Sequence, residues 1–589
     1  MMAPKVAGFL AEGRRRKVIW FGAFWLILYI ALILAVPQIS TVNPLGAQGG
    51  ARLSTLELHI IDGEVGVPIP ARIQIVSADG ETHIAEDALW FGGDCRDLTV
   101  HGEHLEDALE KQSLEVKNPL AVRSVRSETT QFYSNGHSVI RLPAGRARIS
   151  VFKGPEYLLA EHSIVIPESE TREYTVELSR LANMPEEGWY SSDGHLHIAR
   201  PTDGINPHVS KIMQAEGVHV ANLLLWGKAD TVGLTPQYAH GPPSWYREGD
   251  YILAAGLENP RTHFLGHTIT LGANEPLHNP ETYLIYRLLW EEAVEEGALN
   301  GYAHLGTLAN AGRHSGLSLV LPYGLMHFLE VLQANRLDYS AWYDVLNLGF
   351  RVTPTAGTDF PCIPSIPGHE RFYTKVDGPY DYEGWLEAVR LGKTFVTTGP
   401  LLDFTVSSKD VGSEVSLREA SEVLVEARVR YDPAKDDILG LELVQNGSVV
   451  RSFPQIDDTG EMFVSFHHPI EQTSWLALRG YGNQLVQFLR GNRIHGTTVH
   501  SAPIYVTVEN TPPLASQPTG RSAARTWLAQ LENLEIRLND TNMPYLLETV
   551  DLWHKRSRDG FSKELLLRNR MALLDEIAHA RTFYMEFLK

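Results

Sequence analysis

Between residues 187 and 400, short apolar runs that read as strands alternate with amphipathic stretches that read as helices. No other feature of the chain constrains the fold as much. The runs 220–226 and 251–257 are almost continuously apolar, as strands buried on both faces are, while 283–296 and 324–335 carry a helix-like spacing. The pattern predicts an α/β domain with a mainly parallel sheet or barrel, in which functional side chains gather at the C-terminal ends of strands. Half of the chain's 24 His residues fall in this segment.

Within it, Trp189-Tyr190-Ser191-Ser192-Asp193-Gly194-His195-Leu196-His197 reads as a strand end. With a side-chain period of two, Asp193, His195 and His197 face the same way. Two imidazoles at i and i+2 form one edge of a coordination polyhedron suited to zinc, manganese or iron. Downstream, Glu258, His267, His304 and Asp359 each sit close to an apolar run or a Gly-bounded turn.

At the start of the chain, Arg14, Arg15, Arg16 and Lys17 precede an uninterrupted apolar run over 18–36, closed by Pro37. About 20 helical residues cross a bilayer core, and a basic flank stays in the cytoplasm. The sequence therefore predicts a basic cytoplasmic N-terminus (1–17) and a transmembrane anchor or signal sequence (18–37). The body would lie outside the cytoplasm, periplasmic or extracellular. Leu45-Gly46-Ala47 is a candidate cleavage site, and cleavage near Ala47 would give a secreted protein; the length of the run favours an uncleaved anchor.

A chain of 589 residues is too long for one ordinary core. Alternating runs broken by turns over 53–182 predict a β-sandwich, whose stretch Arg141-Leu142-Pro143-Ala144-Gly145-Arg146 resembles the hairpin of carboxypeptidase-regulatory-like domains. A second β-sandwich is predicted over 401–511, with Asn446-Gly447 as a hairpin turn, and a helical segment over 520–589 that caps the other domains or mediates association. The formal net charge of −20 excludes a general nucleic-acid partner. Cys95 and Cys362 lie too far apart in sequence to read as a disulfide framework.

Four ordered motifs carry a family resemblance: Asp193-Gly194-His195-Leu196-His197, Gly256-Leu257-Glu258, Tyr302-Ala303-His304 and Gly357-Thr358-Asp359. They resemble the successive motifs of the PHP (polymerase and histidinol phosphatase) superfamily of metal-dependent hydrolases. Gly266-His267-Thr268 and Gly392-Lys393-Thr394-Phe395-Val396-Thr397-Thr398-Gly399-Pro400 narrow the resemblance to the CehA/McbA branch, named after a carbaryl hydrolase. It implies a distorted (β/α)7 barrel over 187–400 with metals at one mouth, flanked by the two β-sandwiches.

Carried over residue by residue, the resemblance gives a first metal to His195, His197, Glu258 and Asp359, and a second to Glu258, His267 and His304, with Glu258 bridging. His263 is an alternative to His267, and Asp193 is expected to orient an imidazole rather than bind metal. The chain departs from trinuclear members, which carry an Asp-His pair after the second strand and a His two residues after the last Asp. Here those places hold 222–227 (Asn-Leu-Leu-Leu-Trp-Gly) and Pro361, so one or two metals are expected, with His369 as an alternative ligand. A divalent cation lowers the pKa of bound water from 15.7 to roughly 7, which predicts attack by activated hydroxide on an ester, carbamate or amide of a small-molecule substrate. Glu258, Asp359 and Arg200 are the expected catalytic residues, with Arg200, Lys228 and Arg261 as candidates to receive an anionic group. A phosphoesterase is the alternative within the enzyme class. A non-catalytic exported binding protein is the alternative outside it. The sequence does not set an oligomeric state.

Overall fold

The computed structural model describes residues 53–89, 122–123, 130–227, 229, 232–262, 264–305, 315–363, 365–455, 459–483, 485–487, 493–539 and 563–589. Arg52–Lys589 forms one compact unit. It opens with strands β1 (Leu53–Asp62), β2 (Ala71–Ser77), β3 (Thr130–Ser134), β4 (His137–Pro143), β5 (Gly145–Phe152), β6 (Ala160–Ile166) and β7 (Thr171–Leu178). β1 lies between β4, antiparallel, and β7, parallel. In a second sheet, β2 pairs with β3 and β5, and β5 with β6. Period-two alternation turns Leu56, Leu58 and Ile60 of β1 inward, where they share one core with Ile73, Ile75, Phe132 and Ile149 of the other sheet.

The segment that positions the site contains strands β8 (Trp189–Leu196), β9 (Val220–Gly227), β10 (Tyr251–Glu258), β11 (Gly266–Leu271), β12 (Leu299–Tyr302), β13 (Phe328–Gln333), β14 (Thr353–Ala356), β15 (Arg371–Lys375) and β16 (Thr394–Thr397). Its helices are α1 (Asn206–Glu216), α2 (Tyr286–Glu295), α3 (Ser315–Val320), α4 (Ser340–Asn347) and α5 (Tyr382–Arg390). Every residue of β9 is buried. Its Val220 and Leu224 enter one core and its Ala221 and Leu223 another, beside Val209 and Ile212 of α1. A strand covered on both faces has no polar side to alternate with, which accounts for its continuous apolar run.

The expected (β/α)7 barrel is corrected by the strand directions. β8–β9, β9–β10, β12–β13 and β13–β14 are parallel. β10–β11, β11–β12, β8–β15 and β15–β16 are antiparallel. The connection 259–265 between β10 and β11 is too short for the dozen or more residues that a parallel crossover requires, so the chain turns back on itself. The sheet also continues beyond this segment, because β16 pairs antiparallel with Thr498–Ser501. The architecture is a mostly β fold with seven α-helices among the described residues. The stretch 324–335, expected to be helical, contains β13 instead: its Phe-Leu-Glu-Val-Leu-Gln run satisfies both periods, and complete burial on both faces selects the strand.

Beyond Pro400, the strands Leu401–Val406, Ser421–Arg430 and Glu461–Ile470 form an antiparallel sheet. The sheet's Phe404, Val425 and Val429 share a core with Leu443, Leu478 and Val506 of neighbouring strands. The chain closes with α6 (Pro518–Asn539) and α7 (Lys563–Glu586). Trp527, Leu531, Leu573 and Ile577 from these helices enter the same core as Trp290 and Trp342, and Tyr584 donates from its hydroxyl to the Ser318 carbonyl at 3.0 Å. The helical run expected at 546–553 lies outside the described residues.

No helix among the described residues is long and apolar enough to cross a membrane. The apolar run 18–36 and the candidate cleavage site at 45–47 lie outside those residues. The expectations of a transmembrane helix, of membrane attachment through it and of a membrane-anchored location are therefore withdrawn. The two long helices present, α6 and α7, carry charged residues throughout and spend their apolar stripes on the protein core.

Candidate metal centre

β8, β10, β11, β12 and β14 bring five short segments to one place. The loop after β14 is laced to the end of β8: Asp359 N donates to His195 O at 2.8 Å, and His197 N to Phe360 O at 2.7 Å. This places the Asp359 carboxylate beside the His195 and His197 rings. Gly357 begins that loop because nothing larger fits; a Cβ there would lie 2.4 Å from the His195 Cβ and 2.6 Å from Glu330 Oε1. Asp359 and His304 hold φ of 55° and 37°, a left-handed conformation costly for non-glycine residues and concentrated at functional sites.

The ligand atoms fall into two adjoining groups. His195 Nε2 and His197 Nε2 are 3.2 Å apart, and Asp359 Oδ1 is 3.7 Å from the first and 3.2 Å from the second. Glu258 Oε2 adjoins this group, 3.5 Å from His197 Nε2. Atoms bonded tetrahedrally to one cation at about 2.0–2.2 Å stand roughly 3.3–3.6 Å from one another, close to the 3.2–3.7 Å among His195, His197 and Asp359. On the other side, Glu258 Oε1 is 2.9 Å from His267 Nδ1 and 3.7 Å from His304 Nε2, with the two ring nitrogens 2.8 Å apart. The two oxygens of Glu258 thus face different sets of imidazoles. His195, Glu258 and His304, and likewise His195, His197 and Asp359, form buried groups that can hold a metal ion.

The outer ring nitrogens are also engaged. His195 Nδ1 donates to Glu330 Oε1 at 3.1 Å and His197 Nδ1 to the Leu224 carbonyl at 3.3 Å, which leaves Nε2 of each ring for the cluster. Glu330, in the middle of β13, also accepts from His304 N at 2.5 Å. It was missed in the sequence; the only signal is an acid inside the apolar Phe-Leu-Glu-Val-Leu run. Asp193 is fully buried, but its carboxylate accepts from His195 N, Thr358 N, Thr358 Oγ1 and Gly368 N at 2.6–3.1 Å. It fixes the backbone around the cluster instead of orienting an imidazole.

Burial opposes every charge in the cluster, and the neighbours decide the outcome. Burial pushes the Glu258 carboxyl up, but Arg261, whose Nε lies 3.0 Å from Oε2, and His267 hold it well below the usual range. Asp359 is lowered in the same way, against burial, by His195 and His197. His197, despite burial, is carried up to about 10 by Asp359 and Glu258, and His195 is raised against burial by Glu330 and Asp359. Burial and the neighbouring His267 push His304 well below its ordinary value. Burial raises Glu330 in spite of His195. The side chain of Asp359 is 16% exposed, against 5% or less for the other five ligand candidates, which marks the side open to a substrate among the described residues.

Of the other residues singled out in the sequence, Arg261 reaches the cluster, with its guanidinium also stacked over Trp226 at 4.2 Å. Arg200 does not. It is fully buried and donates to Gln237 Oε1, Asn206 Oδ1 and Ser244 O, and burial lowers its pKa to about 10. His369 meets Asn335 Oδ1 at 2.7 Å and belongs to neither ligand group. His263 and Lys228 lie outside the described residues.

No family model and no curated protein matches the chain. Among solved structures, one called pT26-6p is similar at 10% identity over 34% of this chain and 54% of that one, so the match spans about half its length, with a TM-score of 0.13. A Niemann-Pick type C2 protein from Japanese carpenter ant is similar at 13% identity over 18% of this chain and 89% of that one, with a TM-score of 0.10. Bacteroides uniformis beta-glucuronidase 2 is similar at 10% identity over 75% and 58%, with a TM-score of 0.14. Likenesses this slight assign neither fold nor function, and the functional reading rests on the cluster itself.

Proposed function

We propose that the chain is a metal-dependent hydrolase that holds one or two divalent cations (zinc, manganese or iron) and cleaves an ester, carbamate or amide bond in a small molecule. The observation that carries this reading is Glu258, whose Oε2 faces His197 while its Oε1 faces His267 and His304. His195, His197, Asp359 and Glu258 would hold one cation; Glu258, His267 and His304 would hold a second. A divalent cation supplies Lewis acidity and lowers the pKa of water bound to it.

The chain's own residues prepare for this. Glu330 and the Leu224 carbonyl hold the Nδ1 protons of His195 and His197, so that a bound cation would displace only the Nε2 proton of each ring. Arg261 keeps Glu258 ionised, and an ionised carboxylate offers an acceptor on each oxygen. The ordered likeness to PHP motifs adds support of its own. A phosphoester substrate is the second reading, favoured by the Arg261 guanidinium beside the cluster.

The test is a panel of chromogenic ester, carbamate, amide and phosphate substrates assayed with the metal-loaded full chain and with Glu258→Gln. The proposal expects turnover of at least one class, lost in the variant and after chelation. Metal uptake without turnover of any class would identify a binding protein instead.

A further inference from the structure

We propose that the chain carries a second ligand site, for a small oxyanion (a carboxylate or a phosphate), in a cavity where three parts of the fold meet. The cavity has a volume of about 280 Å³ and is lined by Arg72 from the N-terminal sheets, by Glu216, Gly368 and Arg371 from the central segment, and by Lys435 and Asp436 from the C-terminal strands' connections. Of the described residues considered as metal ligands, only His369, which belongs to neither ligand group, lines it.

Arg371 is the centre of the argument. It is only 3% exposed. Its Nη1 donates to Ser191 Oγ, Glu216 O and Gly217 O at 3.0–3.2 Å, and its Nε donates to Gly368 O. Every one of these acceptors is neutral. The two at the C-terminal end of α1 contribute a partial negative charge, and none of the guanidinium's hydrogen bonds among the described residues goes to a carboxylate. Its charge reaches the buried carboxyl of Glu156, but a buried cation with no carboxylate in direct contact remains costly. Its Nη2 meets no acceptor among the described residues.

Arg72 repeats the pattern. It is 6% exposed; Nε donates to Glu216 Oε1 at 2.6 Å and Nη1 to Gln131 Oε1, and Nη2 is left without an acceptor among the described residues. Lys435 adds a third cation, with Nζ donating to Gly154 O at 3.0 Å and Tyr157 O at 2.6 Å. The two carboxylates of the wall are already used: Glu216 by Arg72, and Asp436 by Thr497 Oγ1 at 3.1 Å. Lys435 Nζ also lies 3.7 Å from Asp432 Oδ2, so its charge is matched, while the two guanidinium groups each keep a donor in hand. That is the arrangement a planar oxyanion edge or a phosphate satisfies with charge-assisted hydrogen bonds.

The test is calorimetric titration of the chelator-treated full chain with sodium phosphate and, separately, with sodium acetate, at low ionic strength. Chelation keeps the metal centre from capturing the anion. The expected result is saturable binding of one equivalent of at least one of the two, and the arm that saturates names the oxyanion. Arg371→Met should weaken it by about tenfold or more, the loss of a charge-assisted hydrogen bond. Ala434→Glu places a carboxylate on an exposed wall residue without removing a buried contact, and it should weaken binding even if Arg371→Met fails to fold. His304→Ala should bind as the parent does. Absence of saturable binding in both arms would overturn the proposal. So would binding lost in His304→Ala but unchanged in Ala434→Glu.

Discussion

The carboxylate of Glu330 lies 3.1 Å from Nδ1 of His195, the ring nitrogen opposite the one that approaches His197 and Asp359. A hydrogen bond there fixes the tautomer of a ligand and raises its basicity, and loss of such a partner lowers metal affinity by roughly 10–100-fold. Glu330→Gln keeps the volume and removes the charge. It is expected to weaken metal binding by about that factor, read by competition with a chelating dye, and to lower turnover at sub-saturating metal.

Gly357→Ala tests the close approach of the loop after β14 to β8. The added methyl would sit 2.4 Å from the His195 Cβ. Overpacking of this kind costs about 1–3 kcal/mol, and here it also displaces a ligand. Both the denaturation midpoint and the metal content should fall; a variant that kept both would contradict the described approach.

His219 and His500 predict acid lability independent of the metal. Both are pushed down to about 3, first by burial; at His219 Arg371 adds to the effect, while at His500 a backbone bond to Ser501 opposes it. The unfolded chain binds these protons near 6.5 and the folded chain does not, so each group's contribution is fully present above about pH 6.5 and is lost as pH falls toward 3. Each amounts to roughly 5 kcal/mol at the acid limit. Denaturant unfolding of the chelator-treated chain between pH 4 and 7 gives the slope of stability with pH, to which Glu156 and Asp344, raised by burial to about 7 and about 6, contribute with the opposite sign. His500→Gln should reduce that slope by about one proton.

Much of the candidate centre was legible in the sequence, because its ligands sit at the ends of apolar runs or beside Gly-bounded turns. His195 and His197 come from one strand end, and the structure brings Glu258, His267, His304 and Asp359 to them. Glu330 was hidden because 324–335 satisfies a helical period as well as a strand period, and an acid on a helix reads as solvated. Strand direction was also hidden: apolar runs show that β10 and β11 are buried, but only the short connection between them reveals that they are antiparallel. Arg200 illustrates a third limit. A guanidinium's capacity to bind an anion bidentately suggested a substrate contact, whereas its donors are used by Gln237, Asn206 and Ser244.

The bridging role of Glu258 predicts an ordering. Glu258→Gln leaves one neutral acceptor oxygen in place of two charged ones. It should cost more metal and more turnover than His195→Ala or His197→Ala alone, with all three measured on matched preparations. Equal or smaller losses for Glu258→Gln would remove Glu258 from the bridging position.

The most direct measurement is the metal content of the full chain after loading with zinc, manganese or iron and desalting, determined by elemental analysis beside Glu258→Gln. The account predicts one to two equivalents bound per chain and a clear loss in the variant. Less than about half an equivalent with all three metals, or an undiminished content in Glu258→Gln, would contradict it.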